Sequence, residues 1–306
     1  MRMAVMGAGG LGGFFGGVLA RAGQEVALVA RGAQLAAIRE RGLTVKSGEL
    51  GDLRLAVPAT DDPAEIGAVD LVWFCVKTYD LEAAAERMRP LIGPKTMVLP
   101  LQNGVDIAVR LGRFVAPQQI LGGVSYVSAR VEAPGVIAHA AGLRLVFGEL
   151  AGGSSPRAER LLEVLRRAGL AAELSPNVRR ELWIKFVGAC AGSLTALTRL
   201  PVGAILACPE GAALYRGVMD EVAAVARASG VNLLDEDGEE CFAVVHRSPS
   251  LRMSQYYDLE AGRRLELESL NGTLVRLGRE RGVPTPLNFA VYAALKPYVD
   301  GPPALP

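Results

Sequence analysis

Seven glycines crowd the positions from Gly7 to Gly17, immediately behind the charge-free apolar run Met3–Met6. A secretion signal needs a continuous apolar helix there, and glycine in a helix interior costs about 1 kcal/mol relative to alanine. The same residues fit a strand that ends in a tight turn and feeds a helix. Within the run, Gly7-Ala8-Gly9-Gly10-Leu11-Gly12 has the spacing G-x-G-x-x-G. The first glycine permits the turn, the second lets backbone N–H groups approach a pyrophosphate, and the third lets helix pack closely on strand. A helix that starts there aims its partial positive charge at the phosphates. The motif therefore predicts a dinucleotide-binding turn on the first strand of an α/β domain.

The following segments agree. Glu25–Ala30, Leu71–Val76 and Met97–Leu101 read as strands, with helices over Leu11–Ala22, Ala33–Arg41 and Leu81–Met88 between them. Such alternation implies parallel strands with crossover helices. Further strands are expected at Ile120–Val127, Ala129–Glu132 and Val136–Phe147, the last two turned by Pro134-Gly135. The loop Ala151–Pro156, the helix Arg157–Ala168 and a short strand at Ala171–Leu174 complete this part. From Asn177 the pattern becomes helical: Arg179–Thr195, Pro209–Ser229, Glu236–Arg247, Arg264–Arg281 and Pro286–Ala294, with Gly230 and Gly282 as stops. We therefore expect an α/β Rossmann-type domain over residues 1–175 and an all-α domain over 176–306, ending in a loosely ordered tail, Gly301–Pro306.

Charge excludes some classes of partner. With 33 Lys and Arg against 32 Asp and Glu, the formal charge is +1, and no net field gathers nucleic acid or an anionic membrane. No stretch has the ~18 apolar residues a span needs. Cys75, Cys190, Cys208 and Cys241 stand far apart in apolar segments without a metal-ligand spacing, so buried free thiols, no metal and a cytoplasmic setting are expected. A small molecule is the expected ligand. The apolar helical half is compatible with a homodimer, though its periodicity does not separate such a face from the core.

Several side chains stand where chemistry is expected. The second strand ends in Arg31, where an NAD-preferring protein places an acid for the ribose 2′-hydroxyl; a cation suits the 2′-phosphate of NADP, and no competing acid lies nearby in the sequence. Lys77 follows the strand Leu71–Val76, and Asn103-Gly104 follows Met97–Leu101, both at carboxyl ends of parallel strands, where open α/β sheets bind ligands. A solvated strand-end lysine and a simple turn are the plainer alternatives. Lys185 sits on a helix among Phe186, Val187, Ala189, Cys190 and Ala191; buried there, it must be paired or functional, and desolvation would lower its pKa toward values useful in an acid. A snorkelling lysine is the alternative. Ser254, Asp258 and Glu266 occupy the polar stretch Ser250–Asn271, where Ser and Glu suit either a hydroxyl-bearing acid or an ordinary helix entry.

Taken together, GAGGLG at Gly7–Gly12, VK at Val76-Lys77, LQNGVD at Leu101–Asp106, LWIKF at Leu182–Phe186 and SQYYDLEAGRRLELESLNG at Ser254–Gly272 resemble the 2-dehydropantoate 2-reductase (ketopantoate reductase) family over essentially the whole chain. The resemblance implies NADPH held by the Gly7–Gly12 turn and Arg31, with Lys77 and Asn103 near nicotinamide and substrate. It implies Lys185 as proton donor, Ser254 and Glu266 as substrate-binding residues, and reduction of 2-dehydropantoate to pantoate on the route to pantothenate and coenzyme A. The family's helix also presents asparagines four and eight residues beyond the lysine, where this chain has Ala189 and Ser193. That departure keeps open a reductase of the same fold for another 2-oxo or 3-hydroxy acid. A non-catalytic NADP-binding sensor is the rival from another class, although it would need no proton donor.

Overall fold

In the computed structural model, which describes residues 1–303, the first apolar run is β1 (Arg2–Met6) and the glycine turn leads into α1 (Gly10–Arg21). Met3 and Val5 join one core cluster, Ala4 and Met6 another. β1 is thus covered on both faces, which is why its sequence is a continuous apolar run rather than an alternation. The chain continues through β2 (Glu25–Val29), α2 (Gly32–Arg41), β3 (Leu43–Ser47), β4 (Leu53–Leu55), β5 (Ala59–Thr60), β6 (Leu71–Phe74), α3 (Leu81–Arg87) and β7 (Met97–Pro100). Strands β5-β2-β1-β6-β7 form a five-stranded sheet in which every pairing is parallel. The N-terminal part is a Rossmann-type α/β domain.

After α4 (Ile107–Leu111) come β8 (Leu121–Ser125), β9 (Ser128–Ala133), β10 (Val136–Ala141), β11 (Arg144–Glu149), α5 (Pro156–Arg167) and β12 (Ala171–Leu174). They build two smaller sheets, β4-β3-β10-β9 and β12-β11-β8. The single strand expected over Val136–Phe147 is two strands in different sheets. Gly142 parts them at φ +85°, and a Cβ there would lie 2.2 Å from the Tyr126 carbonyl oxygen, so only glycine fits the corner. The sequence reading also missed β3, β4 and β5, which are short and are stabilised by pairing with distant or edge partners.

The remaining chain is helical: α6 (Val178–Thr198), α7 (Val202–Leu206), α8 (Pro209–Ala228), α9 (Asp235–His246), α10 (Ser254–Glu260), α11 (Asn271–Arg281) and α12 (Pro286–Leu295). The helix expected over Arg264–Arg281 begins only at Asn271. Before it, Leu267–Ser269 is one 3-10 turn and Glu266 lies outside any α-helix. α11 stops at Gly282 with a left-handed φ of +69°, as the Gly punctuation predicts. α6 buries Phe186, Val187, Cys190, Ala191 and Leu194 in the core of the helical unit. Of the four thiols expected to be buried, Cys190 is, Cys75 and Cys241 are half-buried, and Cys208 is not. Cys208 is exposed, and its Sγ accepts from the Gly211 N–H at the start of α8.

The chain forms two compact units, Met1–Gln102 with Ile107–Val178, and Asn103–Asp106 with Arg179–Pro306. A single cut after residue 175 does not contain the four-residue excursion Asn103–Asp106. Asp106 explains it: its Oδ2 accepts from Arg276 Nη2 at 2.9 Å and from the Thr273 hydroxyl at 3.3 Å, both on α11. In the expected loose tail, Gly301 is buried and its N–H donates to the Tyr298 carbonyl at 3.1 Å, while residues 304–306 lie outside the described residues. No helix among the described residues is long and apolar enough to cross a membrane.

Candidate active site

The glycine turn divides its work by position. Gly7 has φ +97°, a conformation closed to ordinary side chains. A Cβ on Gly12 would stand 2.0 Å from the Gly7 carbonyl oxygen and 2.9 Å from Val5 Cγ1, so Gly12 is what lets α1 lie against β1. Gly10 would meet the Ala129 carbonyl at 2.2 Å, which makes it a packing glycine under β9. Gly9 alone of the four has nothing within 4 Å of its missing Cβ. Its bareness serves nothing in the protein's own packing and leaves space in front of the α1 N-terminus.

That N-terminus is built to receive an anion. No side chain caps α1 and no acid stands in its first turn, so its leading N–H groups have no intrahelical or capping acceptor. The Gly7 and Ala8 N–H groups are held by the Val29 carbonyl, and the Ala8 carbonyl accepts from Gln34 Nε2 at 2.8 Å, which fixes the turn from behind. Ala8 and Leu11 pack their side chains on the core. Backbone donors, a bare Gly9 and an uncapped helix fit a dinucleotide pyrophosphate.

Arg31 stands at the carboxyl end of β2, at the N-cap position of α2, with its side chain exposed. Its Nη2 lies 2.5 Å from Asp80 Oδ2, an acid 49 residues away in the chain. The expectation that no acid competes at this arginine therefore holds along the sequence and fails in space. Lys77 is half-buried just beyond β6 and its carbonyl accepts from the Asp80 N–H at 2.9 Å, which closes the 3-10 turn Thr78–Asp80. One turn thus carries both Lys77 and the acid on Arg31. Beyond β7, Gln102 buries both amide atoms without a hydrogen-bond partner among the described residues, and Gly104 has φ +143°. Asn103 lies between them, half-buried. Gln102 is a site candidate that sequence reasoning missed; an orphaned buried amide is visible only in three dimensions.

In the helical unit, Lys185 is half-buried on α6, and burial pushes its ammonium down to about 8. Desolvation is the cause of the shift, as expected for a lysine buried on this helix. Glu266 is buried and sits directly before the 3-10 turn Leu267–Ser269, whereas Ser254 is exposed as the first residue of α10. Asp258 is buried and accepts from Arg263 Nε at 2.9 Å.

A buried polar chain ties these segments to one helix. Ser193 donates to Asn271 Oδ1 at 2.6 Å and accepts from Gln255 Nε2 at 2.9 Å; Asn271 Nδ2 reaches Asn288 Oδ1 at 2.9 Å, and Asn288 Nδ2 reaches Glu221 Oε2 at 2.7 Å. Met253 packs on Gly192, where a Cβ would meet it at 2.3 Å, and its N–H donates to Thr195 Oγ1. The segments that carry Ser254 and Glu266 are therefore pinned to α6 two turns beyond Lys185, about 12 Å along the axis. Ser193, which stands where the family has its second asparagine, is fully buried and occupied by this network.

Both parts of the chain match known families: residues 3–152 match ketopantoate reductase PanE/ApbA, and residues 177–299 its C-terminal domain. A 2-dehydropantoate 2-reductase of Mesorhizobium japonicum is 32% identical, with 97% of each chain covered. Among solved structures, a PanE/ApbA family ketopantoate reductase from Ralstonia eutropha JMP134 aligns with TM-score 0.90 at 37% identity, covering 97% of this chain and 98% of its own. A D-mandelate dehydrogenase solved with NADH and anilino(oxo)acetate aligns with TM-score 0.89 at 25% identity, covering 97% and 98%. With matches over both domains and 37% identity across nearly its full length, the chain belongs to the ketopantoate reductase PanE/ApbA family.

Proposed function

We propose that the protein reduces 2-dehydropantoate to pantoate with NADPH, and that Lys185 is the proton donor. The observation that carries this reading is a lysine held at about 8 by burial on the helix against which the Ser254 and Glu266 segments are pinned. Near neutral pH about nine in ten such side chains carry a proton, and the proton is given up far more readily than from a solvated lysine. The cofactor, when bound, supplies the hydride that reaches the carbonyl carbon. Lys185 donates a proton to the carbonyl oxygen. Glu266, already desolvated, accepts a hydrogen bond from the substrate hydroxyl, and Ser254 donates to its carboxylate. Lys77 and Asn103 orient the nicotinamide and substrate. The Gly7–Gly12 turn and Arg31 hold the pyrophosphate and 2′-phosphate. Cytoplasmic residence and a homodimeric state accompany this reading as proposals.

A second reading is favoured by one observation. Ala189 has no polar group and Ser193 spends its hydroxyl on Asn271, so neither offers the amide that the family's asparagines provide. A different 2-oxo acid fits that altered face, and the D-mandelate dehydrogenase of the same fold was solved with anilino(oxo)acetate. Following NADPH oxidation with 2-dehydropantoate, beside NADH and a panel of 2-oxo acids, separates the two. Efficient turnover of 2-dehydropantoate supports the first reading; turnover of another acid alone supports the second. Cofactor binding without turnover of any acid sinks both.

A further inference from the structure

We infer that Asp80 is a specificity-determining residue that narrows the preference for NADPH over NADH by competing with the 2′-phosphate for Arg31. The inference rests on the proposal that Arg31 meets that phosphate. Asp80 comes from the turn after β6, Arg31 from the end of β2, and the sheet order β2-β1-β6 sets these two carboxyl ends on either side of the glycine turn of β1. The contact is a single oxygen on Nη2 at 2.5 Å, with the arginine side chain 74% exposed and the aspartate 31%. An ion pair so open to water is weak, and a ligand can displace it. Because the carboxylate takes one nitrogen, the other edge of the guanidinium is left for a second anion.

A 2′-phosphate has a charge near −1.5 to −2 at neutral pH, so it outbids one carboxylate for the guanidinium but meets repulsion if the carboxylate stays. A 2′-hydroxyl meets no such repulsion, and NADH binding leaves the pair intact. The acid therefore acts selectively against the phosphorylated cofactor. Two anions about 5 Å apart at a screened surface interact weakly, so removing one charge changes the ratio of affinities about three- to ten-fold.

The test is direct binding of NADPH and of NADH, followed by nucleotide fluorescence, to the wild type, Asp80→Asn, Arg31→Ala and the double variant. Asp80→Asn is expected to raise the ratio Kd(NADH)/Kd(NADPH) about three- to ten-fold, and to do so only while Arg31 is present. A ratio unchanged or lowered by Asp80→Asn, with Arg31→Ala still weakening NADPH selectively, overturns the role given to Asp80 and leaves the phosphate site standing. A ratio untouched by Arg31→Ala overturns both. Raising the salt concentration should shrink the Asp80→Asn effect, a response that a purely structural defect would not show.

Discussion

Replacing Lys185 by methionine should remove the activity and at the same time stabilise the protein. Burial lowers the lysine from its ordinary 10.5 to about 8. At about 1.4 kcal/mol per tenfold change in proton affinity, the folded state carries a desolvation penalty of up to about 3 kcal/mol at neutral pH. Methionine fills the same stem volume without the charge. The pH dependence follows from the direction of the shift. Below about 8 the lysine is protonated in both folded and unfolded chains, and the penalty is fully present. Between about 8 and 10.5 the unfolded chain binds more protons than the folded one, so the wild type gains stability as pH rises and the variant does not. Urea unfolding at pH 7 should therefore show Lys185→Met more stable by about 1–3 kcal/mol, with the advantage shrinking toward pH 10. Turnover should fall at least about a hundredfold. A variant no more stable than wild type at pH 7, or an advantage independent of pH, would refute the desolvated lysine; near-normal kcat would refute the proton donor.

If Lys185 is the proton donor as proposed, the rate of the wild type should decline as pH rises through about 8; a flat profile to pH 10 would point to another acid. Gly9→Ala should weaken NADPH binding about tenfold or more with little change in Tm, since a Cβ there meets nothing in the protein, whereas Gly12→Ala should cost about 1–3 kcal/mol of stability because its Cβ strikes the Gly7 carbonyl at 2.0 Å. Equal loss of stability in both would show that the turn serves packing alone. Ser193→Ala strands Asn271 Oδ1 and Gln255 Nε2 in the core and should lower stability by about 1–3 kcal/mol, measured by denaturant unfolding, while Ser193→Thr should retain most of it.

The Rossmann sheet was legible because its strands are covered on both faces and punctuated by glycines whose φ or packing admits nothing else, as at Gly7 and Gly12. The two small sheets were less so. β3 and β5 owe their existence to partners far along the chain and β4 to its edge pairing with β3, and a window moving over Leu43–Thr60 sees only five or fewer residues of weak alternation. The Gly142 corner is a collision with the Tyr126 carbonyl, a fact of three-dimensional approach rather than local propensity. For the site, residue types at strand ends and on α6 were enough to nominate Arg31, Lys77, Asn103 and Lys185. The family resemblance singled out Ser193, eight residues beyond Lys185, but only the structure shows its hydroxyl bonded to Asn271 and Gln255. Asp80 is hidden in the sequence for the same reason: it stands 49 residues from Arg31 and reaches it across the sheet.

The excursion Asn103–Asp106 has a practical consequence for recombination. The backbone passes from one unit to the other at residues 102/103, 106/107 and 178/179, so neither unit is a simple half of the gene. A chimaera spliced at residue 178 would inherit Asp106 from one parent and its clasps, Thr273 and Arg276, from the other. Residue pairs 167 and 170 positions apart would then have to match by chance. Exchange of the helical half between relatives should succeed where this acid and its two α11 partners travel together as one cassette.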